Sequence, residues 1–118
     1  MTLLSRLAQA KGPDRELDGL VWFAVKPPLP GDVWQDFDGV RYLRDADDEV
    51  AFEAPPPFTS SIDAVLRLLP EGWEWVLTMA EDGAGAFVEN EKGEQPRAYA
   101  ETPAIALLIA ILKARGIE

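Results

Sequence analysis

A run of apolar residues near the C-terminus, residues 104–112, contains no polar side chain. Thr102 and Pro103 precede the run as a helix N-cap and a first helical residue, and Gly116 follows it at a position that suits a left-handed helix stop. A helix that is apolar on every side is buried in protein or in a membrane, and a bilayer requires about 18 or more apolar residues. Because this run is shorter, we expect a helix that other protein elements cover on most sides.

The chain of 118 residues contains neither Cys nor His. Disulfides, thiolate chemistry, Ser–His or Cys–His nucleophile pairs and Cys/His zinc sites are therefore excluded. Carboxylates, Lys, Tyr and Thr remain available, so catalysis is disfavoured without being excluded. The length and the apolar fraction of 47% predict a single domain over residues 1–118. The first ten residues predict a short helix and no signal peptide, which together with the lack of Cys favours a cytoplasmic protein.

The net charge of −10 is large for a chain of this length. Such a charge favours solubility, and it repels nucleic acids and anionic membranes, so we expect neither as a direct partner. A sharper interpretation is an acidic face that binds a basic protein surface. A cluster of positive charge inside an acidic shell would still allow an anionic small ligand.

Hydrophobic spacing, caps and turns predict helices and strands in a definite order. The elements are a helix over 3–11, a helix opened by residues 13–16, strands within 33–44 and at 50–52, a helix over 61–69, strands over 73–79, 86–90 and 97–101, and the C-terminal helix. Strands joined in sequence by tight turns form antiparallel sheets. We therefore predict an α+β fold, in which the three-strand meander and the short N-terminal strands form an antiparallel sheet with helices on both faces, as in an α/β/α sandwich.

The strand over 73–79 places Trp73 and Trp75 on one face, together with Leu77 and Met79. Two tryptophans at this spacing are typical of a core, because their burial removes a large apolar area from water. The functional alternative is an aromatic platform for a ligand such as a nucleotide, with Arg97 or Tyr99 on the neighbouring strand completing the pocket. Further candidates for binding an anion are Arg41, Arg44 and Arg67, although surface ion pairs with the abundant acids are the stronger interpretation.

Asp32, Asp36 and Asp38 before Gly39 suggest a loop that binds a cation through oxygen ligands. The spacing fails the calcium EF-hand pattern at the third ligand and at the Gly, so an ordinary Asp-Gly turn is the better interpretation. We predict no metal and no cofactor. A small metal-assisted hydrolase that uses Asp36 and Asp38 remains the enzymatic alternative.

Several segments together resemble a known group of proteins: Gly12-Pro-Asp-Arg-Glu-Leu-Asp18, Pro57-Phe-Thr-Ser-Ser-Ile-Asp-Ala64, Leu68-Leu-Pro-Glu-Gly-Trp-Glu-Trp75 and Ala100-Glu-Thr-Pro-Ala-Ile-Ala106. This arrangement resembles the phage ABA-sandwich-domain-like family, small proteins of phages and prophages of Gram-negative bacteria. The resemblance spans most of the chain and is weakest over residues 27–56. It implies helices on both faces of a central sheet, and it supplies no functional residues.

The resemblance and the missing catalytic residue types favour an accessory protein of a phage or prophage that acts by binding, in the cytoplasm of the bacterial host. We expect it to counteract host defence, either by docking its acidic surface on a host protein or by sequestering a nucleotide signal. A purely structural phage protein is a further alternative. Any exposed part of the C-terminal helix, at Ile105, Leu108, Ile109 or Leu112, would form the interface of a homo-oligomer.

Overall fold

The computed structural model describes residues 2–26 and 54–117, and the backbone alone of residues 33–37 and 40–44. The elements in chain order are α1 Leu3–Gln9, α2 Arg15–Val25, β1 Val33–Phe37, β2 Val40–Arg44, α3 Ile62–Leu66, β3 Glu74–Ala80, β4 Gly83–Glu89, β5 Arg97–Ala100 and α4 Pro103–Ala114. This order confirms the predicted one. The predicted strand at 50–52 and the predicted Asp38-Gly39 turn lie outside the described residues.

Local side-chain caps explain where the helices begin. The hydroxyls of Thr2 and Thr102 accept backbone N–H groups of α1 and α4, and the Asp14 carboxylate does the same for α2. Ser61 has the extended backbone of a cap, and its Oγ accepts the N–H of Ala64 at 3.1 Å. The helix that follows is shorter than predicted and ends at Leu66.

The C-terminal end of α4 is a complete Schellman motif, which satisfies carbonyl groups that the helix itself leaves free. The N–H of Gly116 donates to the carbonyl of Lys113 at 3.0 Å, and the N–H of Ile117 donates to the carbonyl of Leu112 at 2.9 Å. Gly116 has a φ of 77°, a left-handed conformation that glycine adopts without a steric penalty. The predicted stop of this helix is therefore confirmed.

The strands β3, β4 and β5 form an antiparallel sheet in that order, and α4 packs against one face of it. We call this face the inner face. Its small residues Ala84, Ala86 and Ala98 are buried beneath the helix, and Val88 is buried with them. Small side chains let a helix approach a sheet closely. These observations establish an α+β fold with an antiparallel meander.

On its other sides, α4 is covered by α1 and α3. Leu7 of α1 and Val65 of α3 are fully buried, and every residue of α4 from Ala104 to Leu112 is buried as well. The helix therefore lies between the sheet and the remaining helices, at the centre of the hydrophobic core. No helix of the described residues is long and apolar enough to cross a membrane.

The burial of α4 corrects the predicted oligomer interface. Ile105, Leu108 and Leu112 have no exposed surface, and Ile109 is only 4% exposed. An interface through this helix would need apolar surface that the monomer leaves uncovered, and residues 104–112 have almost none. The cover, which the sequence left open between other helices and a second copy, comes from the sheet, α1 and α3.

The N-terminal strands do not extend the meander. β1 and β2 pair only with each other, in a two-stranded antiparallel sheet beside α2. In the described part of the chain, α4 packs against the inner face of the three-stranded sheet, and α1 contacts β5.

A buried polar cluster joins the start of α2 to the segment before α3. Asp18 is 1% exposed, and its carboxylate accepts the N–H and the hydroxyl of Thr59, both at 2.7 Å. Arg15 donates to the same carboxylate at 2.7 Å and to the carbonyl of Pro55 at 2.7 Å. The Thr59 hydroxyl in turn accepts the N–H of Asp14. A buried carboxylate is tolerated because hydrogen bonds and one cation replace its hydration.

Candidate functional site: the outer face of the sheet

The face of the sheet opposite α4, which we call the outer face, carries exposed side chains of β3 and β5. Strand register assigns its residues, because residues directly opposite each other in an antiparallel pair share a face. Val76, Phe87 and Arg97 form one cross-strand row, and Thr78, Gly85 and Tyr99 form the next. Tyr99 is 78% exposed and Val76 is 41% exposed, whereas the residues of β4 on the inner face are buried.

Tyr99 lies flat across the central strand because Gly85 has no side chain there. A Cβ on Gly85 would lie 3.0 Å from the Tyr99 ring carbon Cε1 and 2.7 Å from the Thr78 Oγ1. These distances are shorter than van der Waals contact, so the two neighbours occupy the space that a side chain would fill. Aromatic cover of a strand glycine supports the sheet, and here it also presents most of the ring to solvent.

Arg97 is held over the same face by two interactions. Its guanidinium lies 5.1 Å from the centroid of the Phe87 ring, and its Nη2 donates to the Oε1 of Gln95 at 2.8 Å. A cation over an aromatic face is attracted by the ring quadrupole. A guanidinium has five N–H donors, so this arrangement orients the group and leaves donors for a partner.

Carboxylates flank this aromatic surface at one end. Glu74 and Glu89 lie directly opposite each other on β3 and β4, on the outer face. Like charges at such a position repel each other. A groove of about 420 Å³ adjoins them, lined by Gly72, Trp73, Glu74, Glu89, Asn90 and Glu91. A second groove, of about 320 Å³, lies at the other end beside Tyr99 and Asp82.

The structure separates the residues of the predicted platform. Arg97 and Tyr99 are neighbours on the outer face, but Trp75 lies opposite Val88 and so belongs to the inner face. Trp75 is 42% exposed at the sheet edge, whereas Trp73 is partly buried and packs against the core. The four residues therefore do not line one pocket, because the register of β3 on β4 places the tryptophans on the side of α4.

The remaining candidates lie in or near the two-stranded sheet. Arg41 and Arg44 are on β2 and Asp36 is on β1, opposite Arg41, but the positions of their side chains are outside what the structure describes. Asp32 and Asp38 lie wholly outside the described residues. Within the described part of the chain, no group of three or more acidic side chains could hold a metal ion.

Val76, Phe87 and Gly85 were not predicted as members of this surface. The alternation of β3 does place Val76 on the face opposite the tryptophans, which was the available signal. Gly85 was missed because the predicted strand began at residue 86, whereas β4 begins at Gly83. Phe87 lay within the predicted strand, but its face depends on the register of β4 on β3. Aromatic rings, a stacked guanidinium and nearby carboxylates form a surface suited to binding.

Comparison of the chain with protein-family models, curated proteins and solved structures found no match. The likeness to the phage ABA-sandwich-domain-like family therefore stays a prediction from the sequence, and function has to be argued from the outer face.

Proposed function

We propose that this protein is a non-enzymatic binding protein whose outer face docks on another protein. One observation carries the proposal: the sheet face opposite α4 presents Tyr99, Val76 and the Phe87–Arg97 pair to solvent. Tyr and Arg are the residue types that, with Trp, contribute most to binding energy in protein interfaces. Both are already oriented here, which reduces the entropy lost on binding.

The shape of the surface favours a protein partner over a nucleotide. Small ligands bind in concave pockets that enclose most of their surface. Arg97 instead stands on an open pleated face, and the groove beside Tyr99 is bordered by the carboxylates of Asp82 and Glu101, which would repel a phosphate. The paired carboxylates Glu74 and Glu89 lie at one end of the outer face. They would also repel a phosphate group placed beside Arg97.

Charge indicates the chemistry of the partner. A chain with a net charge of −10 is attracted to basic surfaces, and a cation from the partner would relieve the repulsion between Glu74 and Glu89. The partner is therefore a protein with an apolar patch bordered by Lys or Arg. Taken with the resemblance to a phage family, this makes the protein an accessory factor that binds a host protein in the host cytoplasm and blunts a defence.

The proposal can be tested by capture from a lysate of a Gram-negative host, with variants of the outer face. We expect Tyr99→Ala and Arg97→Glu to reduce capture of the partner at least about tenfold, as for central interface residues. Arg67→Glu, at the end of α3 and exposed, makes the same change of charge on the helical side and should leave capture intact. Capture should weaken as salt rises.

Two results would contradict the proposal. The first is a captured protein that all three variants retain equally, because its binding would then not use the outer face. The second is a calorimetric signal of nucleotide binding that the natural chain gives and the Tyr99→Ala variant does not. That result would favour the alternative function, in which the neighbours Arg97 and Tyr99 bind a nucleotide signal.

A further inference from the structure

β3, Glu74–Ala80, is a seven-residue edge strand of the three-stranded sheet. β3 pairs with β4 on one side, and in the described part of the chain no strand pairs with its other side. The opposite edge, β5, has only four residues, follows Pro96, and lies beside α1. Short length, proline and cover by a helix are devices that protect a sheet edge from other strands, and β3 has none of them.

The direction of the hydrogen bonds shows which groups of β3 face this open edge. Val88 donates its N–H to the carbonyl of Pro96, on the side of β5, so Ala86 and Ala84 bond toward β5 as well. The alternate residues of β4 bond toward β3, opposite Glu74, Val76 and Thr78. The N–H and C=O groups of Trp75, Leu77 and Met79 therefore point away from the sheet, toward the open edge.

We propose that two copies of this chain join through β3, antiparallel and with a two-fold axis at Leu77. This register places Leu77 opposite Leu77 of the second copy, and Trp75 opposite Met79 of the second copy. All three pairs exchange hydrogen bonds, because their free backbone groups already point outward. The two three-stranded sheets then form one sheet of six strands.

The charges of β3 are compatible with this register. Glu74 is the one charged residue of the strand, and it lies opposite Ala80 of the other copy. Two chains that each carry a net charge of −10 repel one another, so an interface between copies needs an uncharged strand. Residues 75–80 provide one.

Exposed apolar side chains also find partners in this register. Met79 is 70% exposed and Trp75 is 42% exposed, both on the inner face beyond the cover of α4. Pairing brings the Met79 sulfur of one copy against the Trp75 ring of the other, twice by symmetry, and sulfur–aromatic contacts are favourable. The outer face stays open in the dimer and extends across both copies, so this inference does not rest on the proposed function.

Disulfide cross-linking tests the register, because the chain has no Cys of its own. Trp75→Cys and Met79→Cys change exposed side chains. Directly paired positions have Cα atoms about 5.5 Å apart, which a disulfide can bridge, whereas two copies of position 75 lie about 13 Å apart along the strands. On mild oxidation, a mixture of the two variants should form at least about ten times more disulfide than either variant alone.

Sedimentation of a dilution series measures the oligomeric state. It tests the proposed β3 interface with variants that keep the fold of the monomer intact. Met79→Pro removes an outward N–H and no bond to β4, and proline is tolerated on edge strands. We expect it to be a monomer at concentrations where the natural chain has twice the mass, while Met79→Val, which keeps the N–H, remains a dimer. Circular dichroism checks that both variants fold.

The proposal is overturned if the natural chain is a monomer at every concentration, or if the dimer persists in Met79→Pro. It is also overturned if each single Cys variant forms as much disulfide alone as the mixture forms, because that result requires another register. If Met79→Pro does not fold, the cross-linking result decides alone. None of these readouts involves a partner protein, so failure here is distinct from failure of the outer face as a binding surface.

Discussion

At the scale of single residues, the buried carboxylate of Asp18 joins two distant parts of the chain. It joins α2 to Thr59, 41 residues away, through two hydrogen bonds, and it holds Arg15 against the loop before α3. Removing one partner of such a cluster leaves the other groups buried without hydrogen bonds, which costs more than the bonds themselves contribute.

We expect Asp18→Asn to lower the free energy of unfolding by about 2 kcal/mol. The amide lacks the negative charge that pairs with Arg15, and its N–H donors would face the guanidinium, which cannot accept a hydrogen bond. Glu16→Gln is the matched control, since Glu16 pairs with Arg6 at the surface and should change stability by less than about 0.5 kcal/mol. Denaturant unfolding of both variants checks this. Equal small effects would show that Asp18 is not the buried anchor.

At the scale of elements, α4 organises the molecule because the sheet, α1 and α3 all pack on it. Leu108→Ala should cost about 3 kcal/mol, from lost burial and the cavity left behind. Leu4→Ala, at a partly buried position on α1, should cost less than half of that. If Leu108→Ala left the unfolding free energy unchanged and altered only the oligomeric state, α4 would be an interface and the fold described above would be wrong.

The same elements show how far sequence alone could go. Caps at Thr2, Asp14 and Thr102 were predictable because a cap depends on a few adjacent residues. The burial of α4 was predictable because a helix without a polar face has to be covered. Whether Trp75 and Arg97 share a face of the sheet was not predictable, since it depends on how β3 and β5 align on β4. A contact between Asp18 and Thr59 leaves no local signal at all.

At the scale of the whole molecule, the two faces of one sheet have different roles. The inner face of alanines and Val88 holds α4 and supplies stability, while the outer face of Val76, Tyr99 and Arg97 is free to bind. A net charge of −10 keeps the chain soluble despite that exposed apolar surface. The binding function proposed above requires the outer face to be open in solution.

Cysteine labelling measures this requirement most directly. Val76→Cys and Val88→Cys make the same change on the two faces, at positions 41% and 0% exposed, in a chain without other thiols. We predict that a thiol reagent modifies the Val76→Cys protein about as fast as a peptide and the Val88→Cys protein at least about 100 times more slowly, since reaction there needs local opening. Equal protection at both positions would mean that the outer face is covered, and would contradict the account.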